Sequence, residues 1–174
     1  IASDIHVSSC YYCDMAYVNA YTLSYPRVPT PCARYEHKRQ FDVDHFLPKT
    51  ECPILALSLF NFIPSCQVCN SRIKRAYVIG ANKNEWEKFN PAGEYYSIDS
   101  NVRIRLRMWR KPNTTFRHKG DYYIYFHCKN GFRKAVDFFR LEERYEFHKV
   151  EAMRIRNLKA KYPQSTIKRI SKLL

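Results

Sequence analysis

Two Cys-x-x-Cys pairs constrain the fold of this chain more than any other feature of its sequence. The pairs are Cys10 with Cys13 and Cys66 with Cys69. Two thiolates at this spacing can both point inward from one tight turn, and four of them complete a tetrahedral zinc site that has no open coordination position. Such a closed site is structural, so we predict that a zinc ion stabilises the N-terminal half and takes no part in chemistry.

Cysteine usage also bears on the cellular compartment. The chain has seven cysteines, an odd number that argues against a fully paired secreted scaffold. Two disulfides or a redox-active pair are the alternatives to zinc, and both are weaker because two matched pairs occur together. We expect a reducing, cytoplasmic location, and we expect Cys32, Cys52 and Cys128 to be small buried hydrophobic residues.

Net charge narrows the range of partners. The 174 residues include 30 Lys and Arg against 16 Asp and Glu, which gives a formal net charge of +14. Such an excess is typical of a polyanion binder, because each phosphate contact releases counterions. A basic soluble protein without such a partner has the same composition, so charge alone leaves both interpretations open. No apolar stretch approaches the roughly 20 residues of a spanning helix, and we expect no membrane contact.

The C-terminal part of the chain predicts a β-hairpin followed by helices. Its first strand alternates the apolar side chains of Val102, Ile104, Leu106 and Met108 with those of Arg103, Arg105 and Arg107. This period of two is that of a half-buried strand. Residues 121–128 predict the second strand, and an amphipathic helix is expected from roughly 141 to 162, with a short last helix after it.

Three short motifs follow one another in the N-terminal part. Residues 41–48 read Phe-Asp-Val-Asp-His-Phe-Leu-Pro, Asn61 comes next, and residues 66–74 read Cys-Gln-Val-Cys-Asn-Ser-Arg-Ile-Lys. Each motif is ordinary alone. In this order, and interleaved with the second cysteine pair, they resemble the HNH, or ββα-metal, nuclease family. The resemblance covers residues 10–74, and it implies one strand with an acid and His, a second strand with Asn, and a helix with the last Asn.

The resemblance and the hairpin pattern together predict the fold class and the domains. We expect an α+β chain in which residues 1–76 form a zinc-braced ββα-metal core. Residues 77–100, which are polar and contain glycine and proline, form a connecting segment. Residues 101–174 form a basic antiparallel β-hairpin followed by C-terminal helices.

The resemblance also implies a role for each motif residue. His45 is the general base that activates water, because a neutral imidazole titrates near working pH. Asp44 and Asn70 offer the oxygen ligands that Mg²⁺ or Mn²⁺ prefers, and two protein ligands leave positions open for phosphate and water. Asn61 orients the backbone that carries His45. The expected products carry 5′-phosphate and 3′-hydroxyl ends.

Basic residues supply candidate contacts to the phosphate backbone. Arg72 and Lys74 follow Asn70 and can hold the phosphate, although the lysine of the family sits one position earlier, where this chain has Ile73. The alternative is a solvated helix face. In the hairpin, Arg103, Arg105 and Arg107 are expected to contact nucleic acid. The alternatives are a sheet face that is merely cationic and a face for an acidic protein.

The function predicted from sequence is a metal-dependent HNH endonuclease that hydrolyses DNA. A catalytically silent zinc-ribbon module that binds nucleic acid, and an RNA-directed HNH nuclease, are the alternatives. The C-terminal region is similar to the tails of HNH proteins from bacterial anti-phage operons. In those systems the nuclease works with a separate ATPase, so a regulatory partner of that kind is expected.

Overall fold

The computed structural model describes residues 8–25, 34–109 and 119–170. The chain forms two compact units, one made of residues 1–98 and 132–139 and the other of residues 99–131 and 140–174. The described residues mix helices with antiparallel two-stranded sheets, which is the expected α+β class. Among them, no helix combines the length and the apolar character that crossing a membrane requires.

The elements follow the chain in a simple order. The strands are β1 (Ala20–Tyr25), β2 (Arg34–Arg39), β3 (Asp42–His45), β4 (Phe62–Ser65), β5 (Val102–Met108) and β6 (Tyr122–Cys128). The α-helices are α1 (Lys83–Phe89), α2 (Ile98–Asn101), α3 (Arg133–Phe138), α4 (Leu141–Tyr145), α5 (Lys149–Lys161) and α6 (Gln164–Ile170). A π-helix covers Val68–Lys74, and 3-10 turns cover Pro53–Leu55, Leu59–Asn61, Lys119–Asp121 and Glu146–His148.

The first unit contains a ββα arrangement. Strands β3 and β4 pair antiparallel, with Asp44 opposite Ile63 and His45 opposite Phe62. Ile63 is fully buried and Phe46, just after β3, is 1% exposed, so apolar side chains fix the register of this short pair. The π-helix begins three residues after β4 ends. The acid–His strand, a second strand and the helix therefore follow one another in the expected order, but Asn61 lies in the 3-10 turn just before β4 instead of on the strand.

The helix after β4 is wider than an α-helix. The Arg75 amide donates to the Asn70 carbonyl five residues earlier at 2.7 Å, which is the bond of a π-helix, a rare form that is frequent at functional sites. Its longer turn brings residues four apart close to one face. Lys74 therefore lies one turn beyond Asn70 although one more residue separates them than in the family pattern.

The π-helix ends in a strained turn. Arg75 has φ 51° and ψ −125°, and the Tyr77 amide donates to the Lys74 carbonyl at 2.9 Å. These dihedral angles are those of the first central residue of a type II′ turn, a position that favours glycine. A residue with a Cβ in such a region costs about 1–3 kcal/mol, so the surrounding structure must hold Arg75 there.

An aromatic cluster joins α1 and α3 within the first unit. Phe132, which precedes α3, is 1% exposed, and Phe89, at the end of α1, is 3% exposed. Their rings meet edge to face at 5.6 Å, and Tyr96 packs on Phe132 at 6.3 Å. The contacts explain why residues 132–139, which the sequence pattern places in the C-terminal section, belong to the first unit.

The second unit is built on the β5–β6 hairpin. The register pairs Val102 with Cys128 and Met108 with Tyr122, as the predicted strands require. One face of β6 is buried through Tyr122, Ile124 and Phe126.

The helical region behind the hairpin differs from the prediction. One helix was expected from 141 to 162, but α4 and α5 are separated by the 3-10 turn at 146–148. The Glu142 carboxylate accepts the Phe126 amide at 2.8 Å, and that of Glu146 accepts the Ile124 amide at 2.6 Å. The break falls at Glu146. The chain therefore departs from α-helical geometry at the residue whose carboxylate binds the edge of β6 that does not pair with β5.

We predict that Phe132→Ala destabilises the first unit by about 3–5 kcal/mol, because a buried ring leaves a cavity among aromatic neighbours. Urea denaturation followed by circular dichroism measures the free energy of unfolding. Phe60→Ala is the matched control, since that ring is 74% exposed, and its effect should stay within about 0.5 kcal/mol. A loss below about 1 kcal/mol for Phe132→Ala would contradict the packing described here.

Candidate active site and metal centre

The two cysteine pairs meet in one cluster. The sulfur atoms of Cys10, Cys13, Cys66 and Cys69 all lie within 4.8 Å of one another, and those of Cys13 and Cys66 are 3.9 Å apart. A tetrahedral site with Zn–S bonds of about 2.3 Å places neighbouring sulfurs roughly 3.8 Å apart, whereas a disulfide needs about 2.05 Å. The donor set and its spacing therefore fit a metal ion such as zinc.

Local backbone bonds shape both halves of this cluster. In the first pair, the amides of Cys13 and Asp14 donate to the Cys10 carbonyl at 3.3 and 2.8 Å. Across the cluster, the Cys66 amide donates to the Cys10 sulfur at 3.3 Å. Hydrogen bonds from neighbouring thiols raise the pKa of Cys10 and of Cys69. Four thiolates this close repel one another. A cation among them would therefore be needed to hold all four in the deprotonated form that binds metal.

Cys52 and Cys128 lie outside the cluster. Both are half-buried, whereas small buried residues were expected, and Cys128 Sγ donates to the Phe126 carbonyl at 3.5 Å. Cys32 lies outside the described residues.

Tyr12 connects the cysteine cluster to the acid–His strand. It lies inside the first Cys-x-x-Cys pair, is 4% exposed, and donates its hydroxyl to Asp44 Oδ2 at 2.6 Å. Its ring stacks on Phe139 at 4.6 Å. Burial raises the pKa of Tyr12, and the neighbouring Asp44 carboxylate raises it further. The tyrosine therefore stays protonated, and its hydroxyl holds one oxygen of Asp44.

Lys74 holds the same carboxylate from the other side. Its ammonium lies 3.2 Å from Asp44 Oδ1 and 3.0 Å from Oδ2, and it donates to the His45 carbonyl at 2.8 Å. The Lys74 residue is fully buried. Burial lowers the pKa of Lys74 and raises that of Asp44, and their mutual attraction offsets both effects in part. This pair braces the π-helix against β3.

The position of Lys74 corrects one expectation. A buried ammonium that already has a carboxylate and a carbonyl as partners does not reach a phosphate in the cleft. Arg72 is exposed, but it is not among the residues that line the cleft described below. Neither residue is therefore placed to hold the reacting phosphate, although Arg72 stays available for contacts elsewhere on a nucleic acid.

One ring nitrogen of His45 forms a hydrogen bond, and the other has no partner among the residues that the structure describes. Its Nε2 lies 3.0 Å from the carbonyl oxygen of Ala56. A carbonyl oxygen only accepts, so Nε2 carries the proton in the neutral ring and Nδ1 keeps its lone pair. The ring also packs edge to face on Phe62 at 5.0 Å. This arrangement gives the cleft a fixed imidazole whose Nδ1 can accept a proton.

Asn61 holds the chain segments next to His45 and Ala56, the two residues joined by the imidazole hydrogen bond. Its Oδ1 accepts the Leu47 amide at 2.8 Å, and its Nδ2 donates to the carbonyls of Leu47 and Leu55 at 3.0 and 3.1 Å. The Phe46 amide donates to the Asn61 carbonyl at 3.0 Å. These bonds tie the residues after His45 to those before Ala56. They fit the orienting role that the resemblance implies for Asn61.

A single open cleft brings the catalytic candidates together. It measures about 320 Å³, and its lining consists of Val43, Asp44, His45, Pro48, Lys49, Thr50, Asn70, Arg75 and Ala76. Three of the four residues singled out by the motif therefore meet at one place, while Asn61 supports it from behind. Sequence patterns gave no signal for Tyr12, Lys49 or Arg75, since none of them belongs to a motif position.

The oxygen ligands expected for Mg²⁺ or Mn²⁺ are not assembled as the motif implies. Both oxygens of Asp44 are engaged by Tyr12 and Lys74, and that residue is 4% exposed. Asn70 turns its amide nitrogen to Asp42 Oδ2 at 3.2 Å. A buried ammonium beside the carboxylate also repels a second cation. In this arrangement, the pair Asp44 and Asn70 does not fit a two-ligand divalent site.

The hairpin of the second unit presents a separate cationic and aromatic face. Arg103, Arg105 and Arg107 are exposed, and the register sets them opposite His127, Tyr125 and Tyr123. The guanidinium of Arg107 lies over the Tyr125 ring at 4.3 Å, and Trp109 stacks on Tyr123 at 4.2 Å. Such a face can contact a phosphate backbone and stack on unpaired bases.

We predict that removal of zinc by a strong chelator unfolds the first unit, because a small ββα core depends on the metal for much of its stability. Circular dichroism and thermal melting measure the change, and Cys69→Ser should reproduce it. Cys52→Ser is the control and should keep both the metal and the melting transition. Unchanged spectra and melting after verified metal removal would show that the cluster is dispensable.

Comparison with protein-family models, with curated proteins and with solved structures found no match to this chain. The resemblance to HNH nucleases therefore rests on the motif residues alone.

Proposed function

We propose that this chain is an HNH-type endonuclease that hydrolyses phosphodiester bonds in DNA. The observation that carries the proposal is the imidazole of His45. It sits in an open cleft with Nε2 bonded to the Ala56 carbonyl and Nδ1 left to accept a proton. It also lies on the first strand of a ββα arrangement, and the helix of that arrangement contains Cys69 of the four-cysteine cluster.

The proposed chemistry uses this nitrogen as a general base. Nδ1 of His45 takes a proton from a water molecule, the water oxygen bonds to phosphorus, and the bond from phosphorus to the 3′-oxygen breaks. The departing 3′-oxygen takes a proton from bulk water, so the products carry a 5′-phosphate and a 3′-hydroxyl. The Ala56 carbonyl then stabilises the protonated ring through the Nε2 hydrogen bond. Asn61 keeps the ring in place by holding the loop that carries this carbonyl.

DNA is the proposed substrate because the charge favours a polyanion and the cleft is open. The formal net charge is +14, and the arginines of β5 give contacts that do not depend on base identity. We therefore expect little sequence preference. The need for Mg²⁺ or Mn²⁺ and a regulatory ATPase partner in anti-phage defence stay predictions of the resemblance.

The two alternative functions differ in whether the protein cuts nucleic acid and in which nucleic acid it cuts. A silent zinc-ribbon module binds nucleic acid without cutting it, and an RNA-directed nuclease cuts a single strand held by the aromatic face of the hairpin.

We predict that the wild-type protein nicks or linearises supercoiled plasmid and that His45→Ala lowers the rate by roughly 10²- to 10⁴-fold, since the general base is lost. The assay is run with no added divalent cation, with Mg²⁺ and with Mn²⁺, on zinc-loaded protein. His148→Ala is the matched control, because His148 is exposed and lies outside the cleft, and its rate should stay at the wild-type level.

A binding assay distinguishes the DNA nuclease from the alternative functions. In a mobility-shift assay, His45→Ala should retain the affinity of the wild type for the same plasmid fragment. If neither protein cuts DNA but the wild type cuts single-stranded RNA, the substrate is RNA. If the wild type binds nucleic acid and cuts none, the silent-module interpretation replaces the nuclease.

A further inference from the structure

Arg75 occupies a backbone conformation that its side chain disfavours. Its φ of 51° with ψ of −125° suits glycine, and the bond from the Tyr77 amide to the Lys74 carbonyl closes the turn around it. A strained residue at a candidate site is a reason to look for a function of its side chain. Glycine adopts such a conformation without strain, so a role for the guanidinium is one reason for an arginine to occupy this position.

Arg75 belongs to the cleft that contains the candidate base. Arg75 lines the same cleft as His45 and Asn70, and it is exposed. Within residues 8–25, 34–109 and 119–170, its guanidinium has no hydrogen-bond or ion-pair partner. An arginine with a free planar fork is suited to bind two oxygens of one phosphate.

Lys49 supplies a second free cation in the cleft. It follows Pro48, lines the same space, and its ammonium likewise has no ion-pair partner in the part of the chain that the structure describes. The carboxylate that lines the cleft is that of Asp44, whose charge is already offset by Lys74. The cleft therefore carries two positive charges that nothing in its lining neutralises, which favours an anionic ligand.

We infer that Arg75 and Lys49 bind the phosphate of the scissile bond. They take the place that the sequence pattern assigned to Arg72 and Lys74. The inference rests on the proposed function. Arg75 binds the two non-bridging oxygens through its fork, Lys49 neutralises charge as the fifth bond forms, and the type II′ turn holds Arg75 beside His45. Both side chains favour the transition state, in which negative charge on these oxygens is greatest.

The test is the substitution Arg75→Gly, because strain and charge predict opposite effects. Relief of the strained turn raises the melting temperature, while loss of the guanidinium lowers kcat for plasmid cleavage by roughly 10- to 100-fold. Lys49→Gln should lower kcat in the same direction without the gain in stability. Arg75→Lys should restore part of the rate but none of the stability.

Arg140→Gly is the matched control. Arg140 also has a positive φ, of 52°, is exposed and lies outside the cleft lining. The same substitution therefore removes the same charge outside the cleft, from a residue with positive φ whose ψ of 44° is left-handed helical and whose guanidinium faces Glu143 at 3.9 Å. It should leave cleavage within about twofold. Arg75→Gly with a raised melting temperature and wild-type cleavage would overturn the phosphate-binding role. A lowered melting temperature would overturn the argument from strain.

A binding measurement keeps this inference separate from the nuclease proposal. Inorganic phosphate is titrated into the zinc-loaded protein, and backbone amide shifts are followed by NMR. Wild type and Arg140→Gly should show saturable shifts at Thr50 and Ala76, and Arg75→Gly should not. Phosphate binding without cleavage would refute the nuclease and leave the anion site. Cleavage by wild type that Arg75→Gly preserves would refute the anion site and leave the nuclease.

Discussion

The four-sulfur cluster is the constraint on which the first unit depends. It joins two turns that lie far apart in the chain, one near the start and one at the beginning of the π-helix. Tyr12, inside the first turn, reaches Asp44 on β3, and Asp44 reaches Lys74 at the end of the π-helix. Lys74 in turn donates to the His45 carbonyl. The turn of the first cysteine pair and the backbone of His45 are therefore connected by one continuous series of polar contacts.

That series explains why charged groups lie in the core of a small unit. A buried carboxylate and ammonium cost desolvation energy that their attraction only partly returns, and such a pair adds little net stability. The pair instead fixes the relative positions of the elements that carry its two residues. Tyr12 and Lys74 satisfy both oxygens of Asp44. These bonds fix the positions of β3, of the turn at the first cysteine pair and of the π-helix relative to one another. In this arrangement Asn70, Arg75 and His45 line one cleft.

Sequence patterns predicted the parts of this site that depend on spacing. The meeting of the cysteine pairs follows from their spacing and the alternation along β5 from local periodicity, and the structure has both. The order of strand, strand and helix was implied by the resemblance, and the structure has this order too. The partners of Asp44 were not predictable, because they arise from tertiary burial. An exposed carboxylate is free to ligate a cation, whereas this one meets Tyr12 and Lys74, which lie 32 residues before it and 30 residues after it. The π-helix is likewise set by packing, and it turns Lys74 inward and Arg75 outward.

The claim that His45 activates water for phosphodiester hydrolysis is tested most directly by an isotope measurement. Zinc-loaded protein cleaves a DNA duplex in water enriched in ¹⁸O, and mass spectrometry analyses the ends. Attack by water with loss of the 3′-oxygen predicts one ¹⁸O atom in each new 5′-phosphate and none in the 3′-hydroxyl. A 3′-phosphate end, an unlabelled 5′-phosphate or an intact duplex would contradict the account.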